Sequence, residues 1–190
     1  MAGNIKKTVF FDRDGTLVKD VGYLSDPEDI EILPGAAEAI KLLNRSGYLS
    51  IVISNQAAVA RGILTEEALK KLNTAILKKF SEKGAIIDDV YYCPHHPTAG
   101  ASAYTIKCEC RKPKPGMILR AQKEHDIDLS LSYMVGDKSI DVEAGKNAGC
   151  RSILVLTGYG SEEKSKPGFS ADFIANDPLE AVKWILRKGR

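Results

Sequence analysis

No stretch of this sequence approaches the roughly 20 apolar residues that a membrane-spanning helix needs. The opening MAGNIKKTVFFDRDGT lacks the apolar core and small-residue cleavage site of a secretory signal. A charge excess is missing too. Lys and Arg number 27 against 25 Asp and Glu, a formal net charge of +2, which argues against nucleic acid or an anionic membrane as the main partner. Internal repeats and linker-like stretches are absent, and nothing demands more than a monomer. Histidine and cysteine are scarce, three and four in 190 residues. The expected compartment is the cytoplasm, where thiols stay reduced and clustered Cys and His read as metal ligands or catalysts before disulfides.

What is present is an alternation of short apolar runs and longer amphipathic ones. KTVFF (7–11), YLSIVIS (48–54), DDVYYC (88–93), LSYMVGD (131–137) and SILVL (152–156) read as strands, with ADFIA (171–175) as a short edge strand. Helices are expected over 34–47, 65–83, 115–125, 139–149 and 178–188. Thr65 is the N-cap of the second, Glu66 and Glu67 lie in its first turn and Gly84 follows its end. Residues 94–114 and 157–170 read as loops, the latter polar and mobile. Strands alternating with helices predict one α/β domain over 1–190. It is doubly wound and Rossmann-like, with a mostly parallel sheet and helices on both faces. Ligands in such folds bind at the carboxyl ends of the strands.

Those ends carry the chemistry. DRDGT (12–16) follows the first strand. If the strand continued, Asp12 and Asp14 would share one side with Arg13 opposite. SNQ (54–56) follows the second strand and GDKSID (136–141) the fourth, bringing Ser54, Asp137 and, one helical turn on, Asp141. Carboxylates converging on one crevice repel, and Mg²⁺ suits such an oxygen site. Lys112 in RKPKP adds a cation between prolines. The set suits phosphoryl transfer to an aspartate: Asp12 as nucleophile, Asp14 as acid and then base, Mg²⁺ and Lys112 neutralising the phosphate.

The order DRDGT, SNQ, RKPKPG, GDKSID resembles the haloacid dehalogenase superfamily of phosphatases. That resemblance implies a phosphoaspartate on Asp12, with Asp14 as general acid/base and as a Mg²⁺ ligand through its backbone carbonyl. It implies that Ser54 and Lys112 steady the transferring phosphoryl group and that Asp137 completes the metal site. About forty residues separate the first motif from Ser54, too few for a cap domain there, so a capless member is implied.

Three of the cysteines fall in CPHHPTAGASAYTIKCEC (93–110). The pattern is Cys93-x-His95, twelve residues, then Cys108-x-Cys110. Two such pairs suit a closed, structural Zn²⁺ site; free thiols or a redox pair are the alternatives. The mirrored spacing favours His95 over His96 as the fourth ligand. Cys150 reads as a small buried hydrophobe and His125 as a surface residue.

This zinc loop (93–112) together with DRDGTL, DVGYLSDPEDIEILPG, SNQAAVARG and YMVGDKSIDVEAGKNAG resembles the heptose 1,7-bisphosphate 7-phosphatase family. The resemblance implies a sugar bisphosphate substrate. Asp20, Val21, Gly22 and Tyr23, then Ser54, Asn55, Gln56 and Ala57, are implied to touch it, with Arg111, Lys112 and Lys138 on phosphate. Histidinol-phosphate phosphatases resemble it too, with a shorter zinc loop. Two departures stand out: NQAA (55–58) where NQSG is common, and Lys114 where histidine is common.

Overall fold

The computed structural model describes residues 6–100 and 103–188; the opening five residues, positions 101 and 102 of the cysteine loop and the last two residues lie outside them. The strands are β1 (Thr8–Phe11), β2 (Leu49–Asn55), β3 (Asp89–Cys93), β4 (Tyr133–Gly136), β5 (Arg151–Val155) and β6 (Phe173–Ala175). They lie in the order β3-β2-β1-β4-β5-β6, and each of these pairings is parallel. The order reverses between β1 and β4, where a crevice opens beyond the strand ends.

The helices are α1 (Ala36–Arg45), α2 (Glu66–Glu82), α3 (Gly116–His125), α4 (Ser139–Ala148), α5 (Gly160–Glu163) and α6 (Pro178–Lys188). They cover both faces because each central strand is apolar on both. Val9 and Phe11 of β1 pack with Ile40 and Leu43 of α1, Leu72 and Phe80 of α2, and Val182 and Ile185 of α6. Phe10 points the other way, with Ile51, Ile53 and Met134, onto Met117 and Ile118 of α3 and Ala144 of α4. The period-two alternation of a strand is what splits one apolar run between two cores. Each fully buried side chain of this size contributes roughly 1.5–3 kcal/mol.

Helix α2 shows how local sequence sets an element. Thr65 Oγ1 accepts from the Ala68 N–H at 3.1 Å, Glu66 and Glu67 sit at the positive end of the dipole, and Leu69, Leu72, Ile76 and Phe80 face inward. The same face also buries Asn73, a polar residue whose partner lies in the site below.

Two expectations are corrected here. Residues 157–170 are not all loop: they hold α5. Ser139 N–H donates to Glu163 at 3.0 Å across to α4. His125 is not a free surface residue; its Nε2 lies 3.0 Å from Asp89 Oδ2. Cys150 is buried, as expected. Among the described residues no helix is long and apolar enough to cross a membrane.

Candidate active site

The β1 strand ends at Phe11, and the chain turns at once. The N–H groups of Leu17 and Val18 both donate to the Arg13 carbonyl, at 2.9 and 3.0 Å. Gly15 makes the turn with φ +86°, and a Cβ there would lie 2.4 Å from Asp137 Oδ2. Asp12 and Asp14 nonetheless line one cleft, as their spacing predicts, and Arg13 does not line it. Arg13 instead folds onto its neighbour. Its Nε donates to Asp14 Oδ1 at 3.0 Å, and its Nη2 lies 2.9 Å from Asp14 Oδ2. The guanidinium is buried, reaching Asn73 Oδ1 at 3.1 Å and Gln56 Oε1 at 3.0 Å. Gln56 Nε2 then donates to Asp14 Oδ2 at 2.8 Å and to Ser54 Oγ at 2.7 Å. Burial raises the Asp14 carboxyl above its usual range, against the pull of Arg13.

Lys112 enters from the loop before α3 and is buried. Its Nζ donates to Asp12 Oδ1 at 2.6 Å and to the Ile53 carbonyl at 2.8 Å, and lies 2.7 Å from Asp141 Oδ1. Burial alone would lower its affinity for a proton; Asp12 and Asp141 outweigh burial and hold it above the ordinary lysine range. Its backbone is clamped by one side chain. Asn55 Nδ2 donates to the Lys112 carbonyl at 3.1 Å, and Lys112 N–H donates to Asn55 Oδ1 at 3.0 Å.

Carboxylate oxygens of Asp12, Asp137 and Asp141 all lie within 4.8 Å of one another. Burial and then the neighbouring carboxylates push Asp137 up to about 7, and burial pushes Asp141 up to about 6 despite Lys112. Asp141 Oδ2 is already used by the Lys138 N–H at 3.0 Å. Asp137 differs: Oδ2 accepts from Tyr159 N–H at 2.9 Å, while Oδ1 is buried with no hydrogen-bond partner. An unpartnered buried carboxylate oxygen beside two other acids fits a hard divalent cation, which takes oxygen donors and offsets the repulsion.

The segment after β5 closes this corner. Thr157 Oγ1 donates to the Gly15 carbonyl at 2.7 Å, and Gly158, at φ +52°, leaves so little room that a Cβ would lie 2.2 Å from Asp137 Oδ2. Sequence reading missed this segment, whose only signal was a glycine between polar residues. Asp12, Asp14, Asp20, Gly22, Asn55, Lys112, Lys138 and Asp141 line a cleft of about 100 Å³. Lys138 bridges its mouth, 3.0 Å from Asp20 Oδ2 and 4.6 Å above the Tyr159 ring. Asp137 and Asp20 hold Lys138 above its usual range although burial opposes them.

The remaining candidates divide. Val21 and Tyr23 are exposed beside the cleft-lining Asp20 and Gly22. Ala57 is half-buried. Arg111 lies in a neighbouring hollow of about 320 Å³ that also contains Lys112 and Lys114. Its Nη1 donates to the His95 carbonyl at 3.0 Å. Lys114 is directed away, 2.6 Å from Glu109.

Cys93, His95, Cys108 and Cys110 also converge within 4.8 Å. The thiols are free, yet Cys110 Sγ lies 3.2 Å from Cys93 Sγ, 3.3 Å from Cys108 Sγ and 3.3 Å from His95 Nδ1. A tetrahedral ion with Zn–S near ~2.3 Å puts its ligands ~3.7 Å apart, so the donor set and its closeness fit zinc. The hydrogen bond from Cys93 holds the Cys110 thiol down to about 5, favouring the thiolate a metal needs. His96 is committed elsewhere, its Nδ1 accepting from Thr98 and Ala99 N–H groups at 3.2 and 2.9 Å.

Known proteins resemble this chain in sequence and fold. The D-glycero-beta-D-manno-heptose-1,7-bisphosphate 7-phosphatase of Pasteurella multocida (strain Pm70) is 42% identical over 182 residues, covering 95% of this chain and 97% of its own. The chain belongs to the heptose-1,7-bisphosphate 7-phosphatase family. A second member, the D-glycero-alpha-D-manno-heptose-1,7-bisphosphate 7-phosphatase of Burkholderia mallei (strain ATCC 23344), is 36% identical, covering 96% of this chain and 95% of its own. The model of the wider family, described as HAD-hyrolase-like, matches residues 109–181. Among solved structures, the heptose-bisphosphate phosphatase of B. bronchiseptica, complexed with magnesium and phosphate, superposes with a TM-score of 0.86 at 29% identity. It covers 96% of this chain and 99% of its own. As in the sequence reading, this heptose-bisphosphatase family member has an open parallel sheet with helices on both faces and a cysteine/histidine cluster beside it.

Proposed function

We propose that this chain hydrolyses the C7 phosphate of D-glycero-D-manno-heptose 1,7-bisphosphate through a phosphoaspartate on Asp12. The observation that carries the reading is end-to-end similarity to relatives named for that activity, 95% of this chain and 97% of the Pasteurella protein. Lys112 holds Asp12 Oδ1 at 2.6 Å, which leaves Oδ2 to attack phosphorus. Ser54 Oγ and the buried ammonium of Lys112 face the transferring oxygens and stabilise charge as it spreads onto them. Asp14 donates a proton to the departing C7 oxygen and then takes one from the attacking water. Asp12, the Asp14 carbonyl and Asp137 would hold Mg²⁺, which supplies charge neutralisation at the phosphoryl group. Cys93, His95, Cys108 and Cys110 would hold Zn²⁺ as a closed, structural site.

The second phosphate, at C1, stays on the product. Lys138 is the cation for it at the cleft mouth, released from Asp20 as the phosphate competes for the ammonium, and Arg111 offers a planar fork nearby. Two cations suit a bisphosphate better than the amine of histidinol phosphate. Relatives at similar identity carry the beta anomer, at 42%, and the alpha anomer, at 40%. The test is kcat/KM for both anomers and for histidinol phosphate, with Asp12→Asn as control. One heptose bisphosphate is expected to exceed histidinol phosphate by roughly 100-fold or more. Equal or better turnover of histidinol phosphate, or substantial activity in Asp12→Asn, refutes the reading.

A further inference from the structure

A carboxylate offers about four lone-pair positions, two on each oxygen. In Asp14 they are unequally used. Oδ2 faces both Arg13 Nη2, at 2.9 Å, and Gln56 Nε2, at 2.8 Å. Oδ1 receives only Arg13 Nε, at 3.0 Å. One lone pair of Oδ1 is therefore uncommitted, on a residue that lines the cleft. The fork that imposes this asymmetry cannot turn. Arg13 is 2% exposed, and two further contacts anchor it, Nη1 to Asn73 Oδ1 at 3.1 Å and Nη2 to Gln56 Oε1 at 3.0 Å. Two parallel N–H···O contacts fix the plane of a carboxylate in a way that a single ammonium cannot.

We propose that Arg13 is a positioning residue: it sets the plane of Asp14 so that Oδ1 is the atom that carries the proton, and Gln56 ties that plane to Ser54. The proposal rests on the reading of Asp14 as general acid. In the first step Asp12 Oδ2 bonds to phosphorus and the phosphorus–C7-oxygen bond breaks. The departing oxygen keeps the electron pair and takes the proton from Asp14 Oδ1. In the second step water bonds to phosphorus, its proton returns to Oδ1, and the phosphorus–Asp12 bond breaks to restore the carboxylate. Asn73, on α2, acts one contact further out by keeping the guanidinium from rotating.

The test compares two leaving groups. A sugar alkoxide needs a proton as it departs; 4-nitrophenolate leaves as a stable anion. The ratio of kcat/KM for heptose 1,7-bisphosphate to kcat/KM for 4-nitrophenyl phosphate isolates the acid, because kcat/KM covers only the steps up to leaving-group departure. General acid catalysis contributes about 10²–10⁴-fold, and Asp14→Asn sets its size here by the drop in that ratio. Arg13→Lys, which keeps the charge and loses the fork, is expected to lower the ratio about 30-fold, in line with the ~10²-fold effect of small misplacements. Asn73→Leu is expected to lower it about fivefold by the same argument. A drop in Asp14→Asn with an unchanged ratio in folded Arg13→Lys overturns the role of Arg13 alone. No drop in Asp14→Asn overturns the acid assignment and this proposal with it. If Arg13→Lys does not fold, Asn73→Leu decides: an unchanged ratio refutes the proposal.

Discussion

The acid cluster should make the metal-free protein lose stability as pH rises, and magnesium should restore it. Asp137 is pushed from 3.8 to about 7 by burial and by Asp12 and Asp141. The folded state thus keeps a proton that the unfolded chain has already released, so this stabilising contribution falls between about pH 4 and pH 7 and is gone above. Each pH unit in that window costs about 1.4 kcal/mol. From about pH 5.5 to about pH 7.5 the loss is about 2 kcal/mol, since the titration of Asp137 is nearly complete by the upper value. For a chain of this length that corresponds to roughly 4–8 °C in Tm. Asp141, raised to about 6, acts in the same direction but shares the repulsion, so its share is not additional. Magnesium held by these acids would bind them deprotonated and displace the retained proton. The assay is a thermal melt at each pH with and without millimolar MgCl₂ and with no chelator, so that only magnesium differs between the arms. Other groups titrate equally in both arms. The gap between the two Tm values should therefore widen with pH. Asp137→Asn, which still offers an acceptor to the Tyr159 N–H, should remove the widening and melt higher than the parent without magnesium at about pH 7.5. A gap that stays constant or narrows refutes the reasoning.

Lys112→Met should abolish turnover, because a buried cation touching Asp12 and Asp141 is lost. Lys114→Met should stay within about twofold of the parent, since an exposed pair such as Lys114–Glu109 contributes little; steady-state kinetics separate them, and equal losses would contradict the assignment. Gly158→Ala places a Cβ 2.2 Å from Asp137 Oδ2 and should weaken magnesium activation by about tenfold or more, a cost of about 1.4 kcal/mol; a magnesium titration of activity measures it. Cys108→Ala should lose zinc and melt lower, since closed zinc sites contribute about 10–16 kcal/mol of apparent binding energy. Metal analysis of the parent should find one zinc per chain, and finding none removes the structural role.

Much of the fold was legible because strands such as VFF and IVIS are apolar on both faces, which only a sheet covered on both sides accommodates. The strand-end acids were legible for a related reason. In a parallel sheet all carboxyl ends meet at one edge, so Asp12, Ser54 and Asp137 could be expected there without coordinates. The partners of Arg13 could not be read. Its partner Asn73 looked like a polar residue in a helix, because the contact spans 60 positions. The closing segment at Thr157–Tyr159 was hidden for the same reason. It is short, polar and without periodicity, and Thr157 meets Gly15 across 142 positions.

Cys93 and His95 meet Cys108 and Cys110, so the chain is back at residue 108 near the point it left at residue 95. Lys112 follows that return directly, and its backbone is held by Asn55. Cys110 stands two positions before Lys112, so a disturbance of the cluster has a short covalent path to the cation on Asp12.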